Sequence, residues 1–169
     1  MIQYSPTPDL MESEIQAALS ALCLDPQAHR WRRPGWTREV KAAIGRIAQN
    51  HGYDWLASGA TKPAWLYDGT AQERRADILT NLPLALESEW HGWAEIKTDF
   101  EKLLASRVVH RVMIFSEGPR RHRAEEKISR LLDMIARFQL SSSGDRYLLA
   151  CWYGKDGTAG DFLFRLHVV

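Results

Sequence analysis

The segment that most constrains the fold is the run from residue 107 to residue 116, RVVHRVMIFS. Most of its residues are β-branched or otherwise apolar on both alternating faces, which is typical of a strand covered on both sides at the centre of an α/β sheet. Helical spacing of apolar residues predicts a helix at 93–105 before this strand and another at 121–138 after it. The sequence therefore predicts a layered α/β domain with a mixed sheet flanked by helices.

Turn and capping signals predict the other elements. Helices are expected at 8–24 and 38–50, the second capped by Thr37. Strands are expected at 63–69, on both sides of a turn within 73–90, at 147–153 and at 162–168. The predicted order is α-α-β-β-β-α-β-α-β-β in a single domain that spans residues 1–169. Its three parts are an N-terminal helix and linker (1–36), a core (37–116), and a helix with two strands (117–169).

An acidic patch is predicted within residues 73–90, ERRADILTNLPLALESEW. If the strands turn at 80–83, Glu87 and Glu89 share one face about 6.5 to 7 Å apart. Asp77 then lies opposite Glu87, with Cβ atoms about 5 Å apart. Three carboxylates this close repel one another unless a cation neutralises them or some bind protons. Hard divalent ions prefer such oxygen clusters, so the sequence predicts a site for Mg²⁺ or Mn²⁺.

Composition limits the class of protein. The chain has 169 residues, 45% of them hydrophobic and 25% charged, as in an ordinary globular domain. It shows no apolar run of membrane-spanning length and no signal-peptide pattern, so a cytoplasmic protein without membrane contact is expected. Cys23 and Cys151 have no partner at metal-site spacing, and they fit two core thiols in a reducing compartment. No HExxH motif, nucleophile elbow or phosphate-binding glycine loop is present.

Charge is unevenly distributed although the net charge is only +1. Residues 68–102 contain eight acids and four bases, whereas 30–41 and 120–130 carry excesses of four and three positive charges. An acidic middle between basic flanks fits a metal site crossed by a polyanion, and it equally fits the solvated faces of two helices. The candidate nucleic-acid contacts in the basic segments are Arg32, Arg33, Arg120 and Arg121. Arginines beside tryptophans, as in the linker 25–36, can contact phosphates and bases or can cover buried rings.

The order helix, three-stranded meander, helix, strand over residues 37–116 resembles the core of the restriction-endonuclease-like fold, the PD-(D/E)xK nuclease superfamily. Asp77 in ADIL resembles the superfamily's aspartate on the second strand. Glu87-Ser88-Glu89 in LALESEW resembles the acid-x-Lys motif of the third, with glutamate in place of lysine as in some type II restriction enzymes. The run LALESEWHGWAEIKTDFEKLLASRVVHRVMIF is also similar to small uncharacterised bacterial proteins that are usually grouped with this superfamily.

The resemblance implies a three-layer restriction-endonuclease-like core that hydrolyses phosphodiester bonds, in DNA, with Mg²⁺ or Mn²⁺. Asp77 and Glu87 would hold the ion, and Glu39 on the first core helix would be a further metal ligand. Glu89 would orient or deprotonate the attacking water, and Lys97 would be a catalytic lysine displaced onto the next helix. The residues themselves leave alternatives, because Glu39 can complement the helix dipole and Lys97 can extend into solvent.

Three functions remain open at this point. The first is a metal-dependent nuclease with nucleic acid as its partner, as a monomer or a homodimer. The second is a catalytically inactive module of the same fold that binds nucleic acid or a protein. The third is an unrelated α/β protein whose acids only resemble the motif. Absence of metal binding would exclude the first function and leave the other two.

Overall fold

A computed structural model describes residues 6–59, 66–155, 158 and 160–169, apart from the side chain of His29. The α-helices are α1 (Leu10–Cys23), α2 (Arg33–Asn50), α3 (Trp93–Leu104) and α4 (Arg121–Arg137), and a short 3₁₀ turn spans Ala28–Arg30. The strands are β1 (Asp54–Ala57), β2 (Gly69–Arg75), β3 (Ile78–Glu89), β4 (His110–Glu117), β5 (Arg146–Tyr153) and β6 (Asp161–Val168). This order matches the order predicted from the sequence.

The six strands form one mixed sheet in which sequential strands are neighbours. The first three strands make an antiparallel meander, β3, β4 and β5 run parallel, and β6 returns antiparallel to β5. Helix α3 connects β3 to β4, and α4 connects β4 to β5, as parallel neighbours require. The predicted three-layer α/β architecture with helices flanking a mixed sheet is confirmed.

Two apolar cores lie on opposite faces of the sheet, and β4 divides its side chains between them. Val112 and Ile114 pack with residues of α1 and α2, whereas Met113 and Phe115 pack with residues of α3 and α4. All four side chains are fully buried. The prediction that this strand is covered on both faces is therefore confirmed. No helix in the described part of the chain combines the length and apolar character that a bilayer crossing requires.

The β2–β3 hairpin turns at a different place from the one predicted. Ala76 and Asp77 have positive φ angles of 47° and 64° and form a two-residue turn between the paired residues Arg75 and Ile78. The predicted turn at 80–83 is wrong because Pro83 lies inside β3. Between the pairs Ala71–Leu84 and Glu73–Asn81, one β2 residue faces two β3 residues, which is a bulge. A bulge accommodates a proline because the ladder needs no N–H there.

The first strand and the start of α2 also differ from prediction. Residues 66–68 form a turn before β2, and residues 63–65 of the predicted strand 63–69 lie outside the described residues. The meander instead begins with the four-residue β1, whose Trp55 ring packs against Gly45 and Gly69. A Cβ atom at these glycines would lie 2.6 Å and 2.3 Å from that ring, so both positions require glycine. Helix α2 begins at Arg33, five residues early, because proline is favoured in a first helical turn.

Candidate functional site

The observed register brings Asp68, rather than Asp77, to Glu87 at the carboxyl end of β3. Gly69 pairs with Leu86, so the residue before Gly69 lies beside the residue after Leu86. Asp77 occupies the hairpin turn, roughly 30 Å away along β3 at about 3.3 Å per residue. The predicted pairing of Asp77 with Glu87 is therefore wrong, because the position of the turn decides which aspartate faces Glu87.

Asp68 is held as an ionised carboxylate by several donors. The backbone N–H and the Oγ hydroxyl of Ser88 both donate to its Oδ2 atom at 2.9 Å. Lys41 of α2 places Nζ 3.2 Å from Oδ1, and Ser58 Oγ donates to the same oxygen at 3.0 Å. Burial raises the pKa of Asp68, but the combined effect of Lys41 and Ser88 in lowering it is larger. The pKa of Asp68 therefore lies below the ordinary value. The aspartate therefore provides a fixed negative charge at pH 7.

Glu87 is the most perturbed acid of the site. Its side chain is only 2% exposed, and this burial raises its pKa to about 8 against the opposing effect of Lys102. Asp99 and Asp68 raise it further because they are nearby negative charges. At pH 7 most molecules therefore carry a proton on Glu87.

Lys102 of α3 joins the acids from the opposite face of the sheet. Its Nζ atom lies 2.6 Å from Glu87 Oε1 and 2.9 Å from Asp99 Oδ1, and it donates to the Leu66 carbonyl at 3.2 Å. Burial lowers the pKa of Lys102, but the two acids raise it more strongly. Despite the short Nζ contact, Glu87 Oε1 receives no hydrogen bond of normal geometry from any described residue. The cluster thus retains a buried oxygen that is only partly satisfied.

The other predicted site residues have separate positions. Glu39 pairs with the adjacent Arg38 at 2.9 Å, and Lys41, about 200° further around α2, reaches the site in its place. Lys97 is half exposed and pairs with Glu101 at 2.8 Å, so Lys102 takes the position predicted for it. The structure pairs Glu39 and Lys97 with neighbours on their own helices, and Lys41, a base, does not replace the metal-ligating acid predicted on α2.

Glu89 lies on the same face of β3 as Glu87, as the alternation of residues along a strand predicts. Its Oε1 atom accepts a hydrogen bond from the backbone N–H of His91 at 2.6 Å. The same oxygen lies 2.5 Å from His91 Nδ1. Glu89 is less buried than Glu87, with 16% of its side chain exposed, so solvent reaches it. It is therefore an ionisable group at the boundary between the acid cluster and water.

Sequence signals for Asp68, Asp99 and Lys102 were present but ambiguous. Asp68 lies within the predicted strand 63–69, whereas it directly precedes β2 in the structure. Asp99 and Lys102 are three residues apart, which places them on one face of a helix where they form an ion pair. Only the tertiary arrangement shows that this face meets the end of β3.

A second cluster lies at the opposite edge of the sheet, where β4 and β5 begin. Asp9, Glu12 and His110 offer ligand atoms that all lie within 4.8 Å of one another, close enough to hold a metal ion. Arg146 already donates to both Glu12 carboxylate oxygens, at 2.8 and 2.6 Å. Burial raises the pKa of Glu12, but Arg146 and His110 lower it to about 2. The present contacts therefore connect the start of α1 to the sheet without a metal ion.

The Asp9–Glu12 pair also begins α1. Asp9 Oδ1 accepts from the Glu12 N–H at 2.9 Å, and Glu12 Oε2 accepts from the Asp9 N–H at 3.0 Å. This reciprocal capping box satisfies two N–H groups that a helix start leaves free. The oxygens of Glu12 therefore have structural partners on both sides.

A cavity of about 820 Å³ opens at the carboxyl ends of β3, β4 and β5, beside the start of α2. Its wall includes Arg32 and Arg33, two of the residues predicted to contact nucleic acid. The other two lie outside it: Arg120 precedes α4, and Arg121 pairs with Glu125 at 3.2 Å. Ligands of open α/β sheets commonly bind beyond the carboxyl ends of the strands. The cavity is therefore a candidate binding site.

Comparison with known proteins identifies no relative. The chain matches no protein-family model, and neither the curated proteins nor the solved structures gave a match.

Proposed function

We propose that this protein is a metal-dependent phosphodiesterase that acts on nucleic acid, with Asp68, Glu87 and Glu89 as its active-site acids. The observation that carries the proposal is the buried Glu87 carboxyl, whose pKa burial raises to about 8 although Lys102 Nζ lies 2.6 Å from its Oε1 atom. Burying such a group is unfavourable unless a cation or a proton neutralises it. A divalent cation would therefore gain binding energy at this position.

The residue types at this site suit Mg²⁺ or Mn²⁺. Glu87 and Asp68 supply carboxylate oxygens, and hard divalent ions prefer oxygen ligands. The order of α2, the β1–β3 meander, α3 and β4 also supports the resemblance to the restriction-endonuclease-like core. In this comparison Asp68, which directly precedes β2, would take the role of Asp77, and Glu87-Ser88-Glu89 stays on β3. The displaced lysine would be Lys102.

Each side chain has a role in this reading. Asp68 and Glu87 would hold the cation, which when bound withdraws negative charge from phosphate and makes water more acidic. Glu89 would orient the attacking water and accept its proton, since it is the acid with solvent access. His91 Nδ1, 2.5 Å from Glu89, gives that proton a route to bulk water. Lys102 would keep Asp99 as its partner and turn toward the phosphate.

Calorimetry with Mn²⁺ and cleavage of single- and double-stranded DNA test the proposal. Wild-type protein should bind Mn²⁺ and cleave, and Asp68→Asn should lose both. The matched control is Asp77→Asn, which changes the same residue type in the hairpin turn and should leave both unchanged. Retention of Mn²⁺ binding by Asp68→Asn, together with its loss in His110→Gln, would place the ion at the other cluster and refute the proposal.

A second function, binding of nucleic acid without hydrolysis, is favoured by the two lysines. Lys41 already neutralises Asp68, and Lys102 already contacts Glu87 and Asp99. Because these lysine side chains already neutralise the acids, the site does not require a metal ion. This alternative predicts binding that persists in EDTA, weakens steeply with salt and leads to no cleavage.

A further inference from the structure

We infer that the cavity at the carboxyl ends of β3, β4 and β5 binds one unpaired nucleotide, with its base on Trp31 and its phosphate on Arg32 and Arg33. Both possible forms of this ligand carry a planar base beside a phosphate group. This ligand can be a free nucleotide or part of a single strand. The inference goes beyond the proposed hydrolysis and does not require it, because the binding involves neither a metal ion nor Asp68 and Glu87.

Four tryptophans form the apolar side of the cavity. The Trp36 ring is central, with ring centroids 5.0 Å from Trp31, 5.7 Å from Trp90 and 5.6 Å from Trp152. Trp36, Trp90 and Trp152 are only 5%, 6% and 7% exposed, so they form a floor. Trp31 is partly exposed, and it is therefore the ring on which a ligand can stack.

The backbone around Trp31 fits this role. Gly35 lies directly against it, and a Cβ atom there would come within 3.2 Å of Trp31 Cβ. The edge-on contact with Trp36, at an interplanar angle of 87°, fixes the orientation of the Trp31 ring. The Trp90 indole N–H is buried and finds no acceptor among the described residues. The wall thus contains a fixed platform and one donor without a partner.

The part of the cavity wall beside Trp31 is positively charged. Arg30, Arg32 and Arg33 line it, are exposed, and form no ion pair with any residue that the structure describes. Lys127 pairs with Glu117 at 2.8 Å, so these two charges cancel. Helix α2 also begins here without a side-chain cap and without an acid in its first turn. Free N–H groups and the positive end of the helix dipole therefore add to the three guanidinium groups.

The occupant follows from combining these two sides. A purely apolar ligand would leave the arginines unused, and inorganic phosphate would leave the tryptophans unused. A nucleotide uses both, since bases stack on aromatic rings and phosphates bind guanidinium groups. The volume, about 820 Å³, lies within the range of roughly 300 to 1,000 Å³ usual for ligand pockets. A paired base cannot enter such a concave site unless it leaves its stack, so the nucleotide is unpaired.

The position relative to the acids supports a strand rather than an isolated nucleotide. Trp90 and His91 line the cavity and directly follow Glu89 in the chain. Glu87 is three residues from Trp90, roughly 10 Å along an extended chain. Trp90 packs on the α1/α2 face of the sheet and Glu87 faces α3, so a single strand with one nucleotide in the cavity would pass around the carboxyl end of β3, at Glu89 and His91, to reach Glu87.

The test measures binding by fluorescence anisotropy and tryptophan quenching in the presence of EDTA. The ligands are fluorescein-labelled (dT)₈, the matching duplex, dTMP and inorganic phosphate. The single strand should bind more tightly than the duplex and should quench tryptophan fluorescence. Trp31→Ala should weaken binding about 5- to 150-fold, the usual effect of losing one stacking contact. Trp31→Phe should keep part of the affinity, and it also serves if the alanine variant folds poorly.

Two double variants test how the arginine charges contribute to binding. Arg32→Gln/Arg33→Gln should reduce the slope of log K against log salt by about 0.7, since both arginines bind one phosphate and each phosphate neutralised on a single strand contributes roughly 0.7. Arg75→Gln/Arg137→Gln removes the same charge far from the cavity and should leave the slope unchanged. Equal affinity for dTMP and (dT)₈ would support the site and identify a free nucleotide as its ligand. Preference for duplex, binding of phosphate alone, no binding at all, or unchanged binding by Trp31→Ala would overturn the inference.

Discussion

Glu87→Gln should change the pH dependence of stability in a way that can be calculated from the site. The folded protein raises the pKa of Glu87 from 4.5 to about 8, chiefly because the carboxyl is buried. Its contribution to stability is therefore fully present below pH 4.5 and is lost as the pH rises through about 8. At about 1.4 kcal/mol per pKa unit, the loss amounts to roughly 5 kcal/mol. Glutamine at position 87 has no proton to lose.

The expected result is a growing advantage for the variant. Between pH 5 and pH 8.5, the unfolding free energy of Glu87→Gln minus that of the wild type should increase by about 3 to 5 kcal/mol. Urea unfolding at a series of pH values, without divalent ions, measures this difference. Histidines and the other acids titrate in both proteins, so their effects cancel.

Glu117→Gln provides the matched control. Glu117 pairs with Lys127 at 2.8 Å, and its pKa is below the ordinary value because Lys127 and the Gly118 N–H outweigh its burial. Its contribution is lost only as the pH falls through that low pKa, so its difference from the wild type should stay constant from pH 5 to pH 8.5. Parallel curves for the wild type and Glu87→Gln over this range would show that Glu87 is ionised at pH 7 and would refute the reasoning.

Three further predictions concern the rest of the molecule. Arg146→Met should destabilise the protein by about 3 to 5 kcal/mol in urea unfolding, because it leaves Glu12 buried without its cation. The control Arg137→Met removes an exposed arginine and should cost less than about 1 kcal/mol. Equal losses would contradict a stabilising clamp, formed by Arg146 and Glu12, between α1 and β5. Gly45→Ala should destabilise by about 1 to 3 kcal/mol through overlap with the Trp55 ring, yet should stabilise in a Trp55→Ala background, where only its better helix propensity remains; the same sign in both backgrounds would exclude the overlap. Burial raises the pKa of Cys23 and Cys151 to about 12, so both thiols should resist a disulfide reagent at pH 8 until urea unfolds the chain; rapid labelling of the native protein would contradict this.

Periodic patterns predicted most of the fold. The four helices and the central strand β4 follow from apolar spacing that packing on both faces of the sheet reinforces. The hairpin turn was missed because Asn81 and Pro83 are typical turn residues. Ala76 and Asp77, in contrast, adopt positive φ angles without the usual glycine. The turn preference of Asn81 and Pro83 conflicts with the pairing of β2 with β3, and the structure follows the strand pairing.

The candidate site was predicted less completely for the same reason. Glu87 and Glu89 depend only on the alternation within one strand, and they lie where the sequence placed them. Asp68 and Lys102 depend on the register of β2 and on how α3 packs, neither of which a single sequence fixes. Arg32 and Arg33 were identified from their tryptophan neighbours, but the cavity they line needs three strand ends and a helix start to form.

The clamp between α1 and β5 has a consequence for how the chain is made. Arg146 and Glu12 are 134 positions apart, so α1 cannot acquire this contact until residue 146 has left the ribosome. Contacts of such sequence separation form slowly, because a long loop must close first. The apolar residues of α1 can pack on α2 much earlier in synthesis, so we expect the ion pair to join an α1–α2 pair that has already formed.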